Sequence, residues 1–266
     1  MRDDAVDVAL KIAGSIVRPL VYTTLSLPAV IVVASSFTAG DDLRFPPEGF
    51  SPRWYMAAFK SDMFMGSLWT STKLAFVTMV LSLTLGMAAA FAIDRRSFPG
   101  KHAFRTLTLS PLIVPMVVLG LGLLQFLAWM RLNQSFLGLL IGHVLITLPY
   151  VVRTLNAGMV LFDRTLEQAA MNLRAPPSTV FRRITLPLLA PAFVSAGVFA
   201  FVTSFGNITL SIFLGFAGAT TLPVQIFAYV EHNYDPVLAA VSTLVIVVTL
   251  GMIAIVEKLV GMEKVA

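Results

Sequence analysis

Long uncharged apolar runs alternate along this chain with short segments rich in arginine, lysine and proline. Pro19 to Gly40, Leu74 to Ile93, Thr106 to Met130, Leu132 to Val152 and Val237 to Val256 are such runs. Each is long enough, at about 1.5 Å per helical residue, to cross a hydrocarbon layer of ~30 Å. A further uncharged stretch, Ile184 to Val230, has room for two crossings. The pattern predicts an all-α polytopic transmembrane helix bundle. The head before the first run mixes Asp3, Asp4 and Asp7 with Arg2, Lys11 and Arg18, and the run exceeds the apolar core of a secretory signal of about 7–15 residues. It is read as a retained first helix.

Composition agrees. The chain is 57% hydrophobic and 12% charged, about half the ~25% charge of a soluble domain, and its mean hydropathy is +0.85. With no cysteine, disulfides and thiolate metal sites are excluded. The net charge of +5 does not point to nucleic acid, because the basic residues sit in loops between apolar runs. They are also one-sided. With six spans, 14 of the 19 Lys and Arg fall on one side together with both termini, which the positive-inside rule makes the cytoplasmic side. A seventh span would move Lys258 and Lys264 outside. Six is therefore the expected number, as one transmembrane domain over 1–266, with extracytoplasmic connectors at about 41–66 and 215–236 and a tight cytoplasmic loop from Asp94 to Arg105.

Details inside the runs refine this. Lys73 is expected to snorkel to the interface, Trp54, Tyr55 and Trp69 suit an interfacial belt, and Pro111 with Pro115 predicts a kink. His143 is read as a neutral, hydrogen-bonded packing residue. The polar string Ser204-Phe205-Gly206-Asn207-Ile208-Thr209 interrupts an apolar stretch. Gly206 permits a break, and Ser204, Asn207 and Thr209 are candidates either for lining a solute path or for interhelical hydrogen bonding, because polar groups at membrane depth face a bundle interior or water. Catalytic signals are missing. Pro99-Gly100-Lys101-His102 lacks the first glycine and final hydroxyl of a phosphate loop. His102, His143 and His232 lack metal-ligand spacing. No Asp or Glu lies in the spans, which argues against a proton-coupled secondary transporter.

The polar stretch Leu166 to Pro191, LEQAAMNLRAPPSTVFRRITLPLLAP, breaks the apolar pattern most strongly. Glu167, Gln168, Ala169 and Ala170 favour helix. Pro176 and Pro177 end it, and a second short run, Ser178 to Thr185, is expected to stop at Leu186-Pro187. Helix, turn, helix beside a membrane is a docking shape. The string resembles the cytoplasmic EAA loop (about 156–187 here) of bacterial ABC importer permeases, with Gln168-Ala169-Ala170 in the first part, Ala175 and Phe181 fitting, and Ile184-Thr185-Leu186-Pro187 closing it. Gln168 stands at the motif's glutamate, with Glu167 adjacent, and Arg174 at its glycine. A left-handed backbone at that glycine position would cost a non-glycine residue roughly 1 kcal/mol; Arg174 also offers an ionic contact. Ser36-Phe37-Thr38, Phe45 to Tyr55, and Thr220 to Thr243 resemble the second permease subunit of polyamine-type importers.

The resemblance implies a type I ABC importer permease in the bacterial inner membrane. Its partners would be a second permease subunit, two ATPase subunits and an extracytoplasmic solute-binding protein. No cofactor is expected in this chain; ATP and Mg would be held by the ATPase. Glu167, Gln168, Ala169, Ala170, Leu173, Arg174, Ala175, Phe181 and Pro187 would carry coupling. Polyamine-like amines lead as solute, followed by other small amines or amino-acid derivatives, aminophosphonates, thiamine and ferric iron. Related polyamine permeases often carry acids just after the Ser-Phe pair, where this chain has Gly206 and Asn207. Two other readings differ in kind: a scaffold that recruits a cytoplasmic partner without moving solute, and an ion-coupled secondary transporter that works alone.

Overall fold

The structure, a computed structural model, describes residues 2–161, 163–216, 218 and 220–260. Lys264, used in the charge count above, lies outside the described residues. The elements are α1 (Arg2–Ser35), α2 (Arg53–Lys60), α3 (Asp62–Arg95), α4 (Lys101–Leu109) with a 3₁₀ turn Ser110–Leu112, α5 (Met116–Trp129), α6 (Phe136–Val160) and α7 (Thr165–Asn172). There follow α8 (Pro177–Val180), a π turn Phe181–Thr185, α9 (Leu186–Leu188), α10 (Ala190–Phe205), α11 (Thr209–Leu214), α12 (Leu222–Val230) and α13 (Val237–Val260). Among these, Ala13–Ser35, Asp62–Arg95, Phe136–Val160 and Val237–Ala254 are long and apolar enough to cross a membrane. Two bent pairs reach that length only together: Lys101–Leu112 with Met116–Trp129, bent by 108°, and Pro177–Leu188 with Ala190–Phe205, bent by 69°. Counting each pair once gives the six spans expected from charge.

Several boundaries move. α3 runs from Asp62 to Arg95, through ends that the sequence pattern assigns to a connector and a loop. Asp62 in its first turn and Arg95 in its last complement the helix dipole, so polar ends stay helical. The kink expected at Pro111 and Pro115 is a sharp break rather than a gentle bend. The second docking run does not stop at Leu186-Pro187 but continues to Leu188. Pro187 has no amide hydrogen and crowds the carbonyl four residues back; the widened π turn just before it accommodates this. In the expected 215–236 connector, α12 supplies a short helix.

The described residues form two compact units, 2–62 with 229–248, and 63–228 with 249–260. In the first, the loop after α1 closes on itself. Phe37 stacks on Phe50 with ring centroids 5.0 Å apart, and Ser36 shares a 2.6 Å hydrogen bond with Tyr55. The Trp54 indole donates to the Gly40 carbonyl, and Arg53 lies 4.6 Å over the Trp54 ring. Tyr229 donates to Asp235 at 2.7 Å; burial, helped by that carboxylate, pushes the Tyr229 hydroxyl up to about 12, so it remains a donor at neutral pH.

The second unit is built around α6. Val151, Val152, Leu155 and Met159 pack with Leu83, Met87 and Ala90 of α3 and Ala196 and Ala200 of α10. Toward the N-terminal end of α6, Leu139, Leu140 and Ile146 meet Leu127, Leu210 and Leu214. Lipid tails give apolar side chains no reason to hide, so helices in a membrane associate through small residues and hydrogen bonds. α3 follows that rule: Ser71, Thr78 and Ser82 are buried, while Phe76 and Leu85 are more than half exposed. Ser82 bonds Thr147 at 2.6 Å, and Ser71 accepts the Leu222 amide. A Cβ on Gly86 would meet Val151 at 2.5 Å, and one on Gly142 would meet Leu214 at 2.3 Å, so at either position a larger residue would force its neighbour to shift.

Candidate functional site

The polar stretch after α6 is held by an ion-pair and hydrogen-bond network. Asp163 accepts the Thr165 backbone amide at 2.9 Å. That bond holds the exposed Asp163 carboxyl below its usual range and starts α7. One turn on, Glu167 points back into the protein. Its Oε2 pairs with Arg95 Nη2 at 2.9 Å, and its Oε1 accepts from the Thr185 hydroxyl at 2.5 Å. Arg95 closes the last turn of α3 and also lies 3.3 Å from Asp94, whose carboxylate takes Arg164 at 2.7 Å. The Arg95 and Glu167 side chains are each 12% exposed. Phe181 meets Phe91 edge-on at 5.9 Å, below the Arg95 guanidinium. Thus α3, α7 and the π turn are joined by three kinds of contact.

The candidate coupling residues therefore fall into two groups. Glu167 and Phe181 are turned into this clamp, and Ala170 and Ala175 are half-buried. Gln168, Ala169, Leu173, Arg174 and Pro187 are exposed, Leu173 to 85%. On the same element Leu166 and Met171 are about half exposed, and Arg182 and Arg183 of the π turn are exposed as well. Arg174 has φ +61°, the left-handed turn that the motif's glycine implies. The Ala175 amide bonds the Ala170 carbonyl and the Arg174 amide bonds Met171, the two bonds of a Schellman C-cap. Arg174→Gly is expected to stabilise this turn by about 1 kcal/mol, seen as slower amide exchange at Arg174 and Ala175 with no change elsewhere.

A second cluster surrounds the break at Gly206. His143 of α6 is fully buried. Its Nδ1 lies 2.8 Å from the Ser204 hydroxyl and its Nε2 3.2 Å from that of Ser211. Neutral imidazole has one donor and one acceptor nitrogen, so it ties the end of α10 to α11. Asn207 Oδ1 accepts the Leu210 amide, and the Ser211 hydroxyl donates to the Asn207 carbonyl. Of the candidate path residues, Ser204 is buried with its hydroxyl on His143, while Asn207 and Thr209 are partly exposed. The sequence pattern misses Asp94, Arg95, Thr147 and Ser211. The hydroxyls of α3 at Ser71, Thr78 and Ser82, spaced by seven and four, are the one-dimensional trace of a packed face; Arg95 leaves no such trace.

No group of three or more His, Asp or Glu able to hold a metal occurs among the described residues. The family described as binding-protein-dependent transport system inner membrane component matches residues 82–260. The spermidine/putrescine transport system permease protein PotC of Haemophilus influenzae is 31% identical over 236 residues, 89% of this chain and 91% of that protein. The putrescine transport system permease protein PotI of Escherichia coli is 31% identical over 233 residues, 85% of this chain and 82% of that one. The fold matches the crystal structure of a bacterial ABC transporter involved in the import of the acidic polysaccharide alginate, with a TM-score of 0.71 at 15% identity over 95% of this chain and 96% of that one.

Proposed function

Because the chain belongs to the family of binding-protein-dependent transport system inner membrane components, and is thus a permease subunit of an ABC importer, we propose that its α7–α9 element docks a cytoplasmic ATPase and carries that partner's movement into the bundle. The observation that carries this reading is the division of the loop. Leu173 and its basic neighbours are exposed, whereas Glu167 is locked to Arg95 at the end of α3. An exposed apolar anchor rimmed by cations suits an acidic groove. A rigid tie beneath it turns displacement of the loop into displacement of a span.

In this reading ATP and Mg are bound and ATP is hydrolysed on two ATPase subunits. A second permease completes the path and an extracytoplasmic protein delivers solute. Both termini are cytoplasmic, as the charge distribution supports. Ser204, Asn207 and Thr209 border the path, and the break at Gly206 opens backbone to it. The identities to PotC and PotI support a polyamine or another small amine or amino-acid derivative as solute.

The test is co-purification of the native chain and an Ala169→Asp/Leu173→Asp variant with the partner permease and ATPase, followed by solute-stimulated ATP hydrolysis in liposomes. The variant is expected to reach the membrane and lose ATPase binding. Equal binding by both chains sinks the docking assignment. Transport by this chain alone, driven by an ion gradient, would instead establish a secondary transporter. ATPase binding with turnover indifferent to solute would establish a scaffold.

A further inference from the structure

A cavity of about 500 Å³ opens between α4, its 3₁₀ turn and the last two turns of α6. It follows from the break at Pro111 and Pro115, which turns the chain away by 108°. Its polar end is formed by Arg105, Arg153 and Asn156, and its wall by Leu109, Ile113 and Val160. Ile113 and Val160 are 81% and 79% exposed. Both arginines are exposed, and neither has an ion pair among the described residues. The Asn156 carbonyl oxygen is buried with no hydrogen-bond partner among the described residues.

Each feature asks for a different part of one ligand. An arginine within the ends of a span is costly unless an anion meets it, and guanidinium is suited to phosphate. The orphaned Asn156 oxygen needs a donor, which a bare phosphodiester lacks and a hydroxylated head group has. The exposed apolar wall suits an acyl chain. We propose that this cavity is a binding site for an anionic phospholipid of the phosphatidylglycerol class. Its phosphate lies between Arg105 and Arg153, a head-group hydroxyl donates to Asn156, and an acyl chain lies along Leu109, Ile113 and Val160. The site is at the same end of α6 as the docking loop, so it belongs to the cytoplasmic leaflet if the loop does. Basic pockets between spans on that side commonly hold acidic head groups.

The experiment is native mass spectrometry of the full-length chain in detergent, titrated with phosphatidylglycerol or phosphatidylcholine, for the native chain, Arg105→Gln/Arg153→Gln and Asn156→Ala. Circular dichroism verifies that each variant is folded. Phosphatidylglycerol should bind the native chain with a preference over phosphatidylcholine, and the arginine pair should lose about tenfold in affinity. Asn156→Ala should lose less, and phosphatidylcholine binding should not change. Equal phosphatidylglycerol retention by the native chain and the arginine variant overturns the proposal. So does displacement of the lipid by equimolar glycerol phosphate, which would assign the cavity to a soluble anion. The readout involves no ATPase, so its failure is separate from failure of the docking assignment.

Discussion

Arg95→Ala is expected to lower solute-stimulated ATP hydrolysis about tenfold in the assembled transporter while leaving the chain in the membrane. The substitution leaves the Glu167 carboxylate largely buried, with Thr185 as its remaining partner. Breaking one side of a buried pair costs up to about 3–5 kcal/mol; at 12% exposure on a membrane surface, about 2 kcal/mol is the fitting magnitude. That exceeds the 1.4 kcal/mol of a tenfold change, so the ratio of clamped to released loop falls by more than tenfold. The ATPase still docks, because Leu173 and its basic rim are untouched, but its movement no longer reaches the span. Arg95→Ala should therefore bind the ATPase and fail to stimulate it, the opposite split from Ala169→Asp/Leu173→Asp. Glu167→Ala should behave in the same way, and the double variant Arg95→Ala/Glu167→Ala should be less impaired than the sum of the two. Full stimulation in the Arg95→Ala transporter would show that the clamp takes no part in coupling.

The second large effect is expected at His143. His143→Leu removes the shared partner of Ser204 and Ser211 and should destabilise the chain by about 2 kcal/mol, since interhelical hydrogen bonds in membranes are worth about 0.6–2 kcal/mol each. His143→Ala adds a cavity between Ser204 and Ser211 and should cost about 3 kcal/mol or more. Removing the hydroxyls as well should recover much of the loss, because a buried donor left alone costs more than a bond replaced by apolar groups on both sides. The measurement is the melting temperature of full-length chain in detergent for His143→Leu and for His143→Leu/Ser204→Ala/Ser211→Ala. If His143→Leu melts with the native chain, the imidazole does not pin the break at Gly206.

The helix–turn–helix shape of the loop after α6 was largely legible because its signals are local. Pro176 and Pro177 end α7 wherever they occur, and the family's glycine position implied the left-handed turn that Arg174 adopts. Its inner face was not legible. Glu167 and Gln168 are both polar helix formers, and only the position of Arg95, distant in sequence, decides which one is buried. The π turn is a further reason. It changes the register of the second run, so Thr185 faces inward while Arg182 and Arg183 stay exposed, a pattern that simple helical periodicity misplaces. His143 was legible as a packing residue, but Ser211, its second partner, read as part of an ordinary apolar run.

By itself the sequence determined the helical class, the length of the apolar runs and the six-span count that the charged loops favour. Those are one-dimensional properties: a hydrocarbon layer requires a minimum apolar length, and positive charge in short loops selects a side. Only the tertiary structure decided which face of each span turns inward and which charges meet. In water apolar side chains face the core, and periodicity reveals that face. In lipid Phe76 and Leu85 are at ease outside, while Ser71, Thr78 and Ser82 go inside for close packing and hydrogen bonds. Hydrophobicity therefore does not mark the packed face, and the pairing of Arg95 with Glu167 emerges only once α3 and α7 lie side by side.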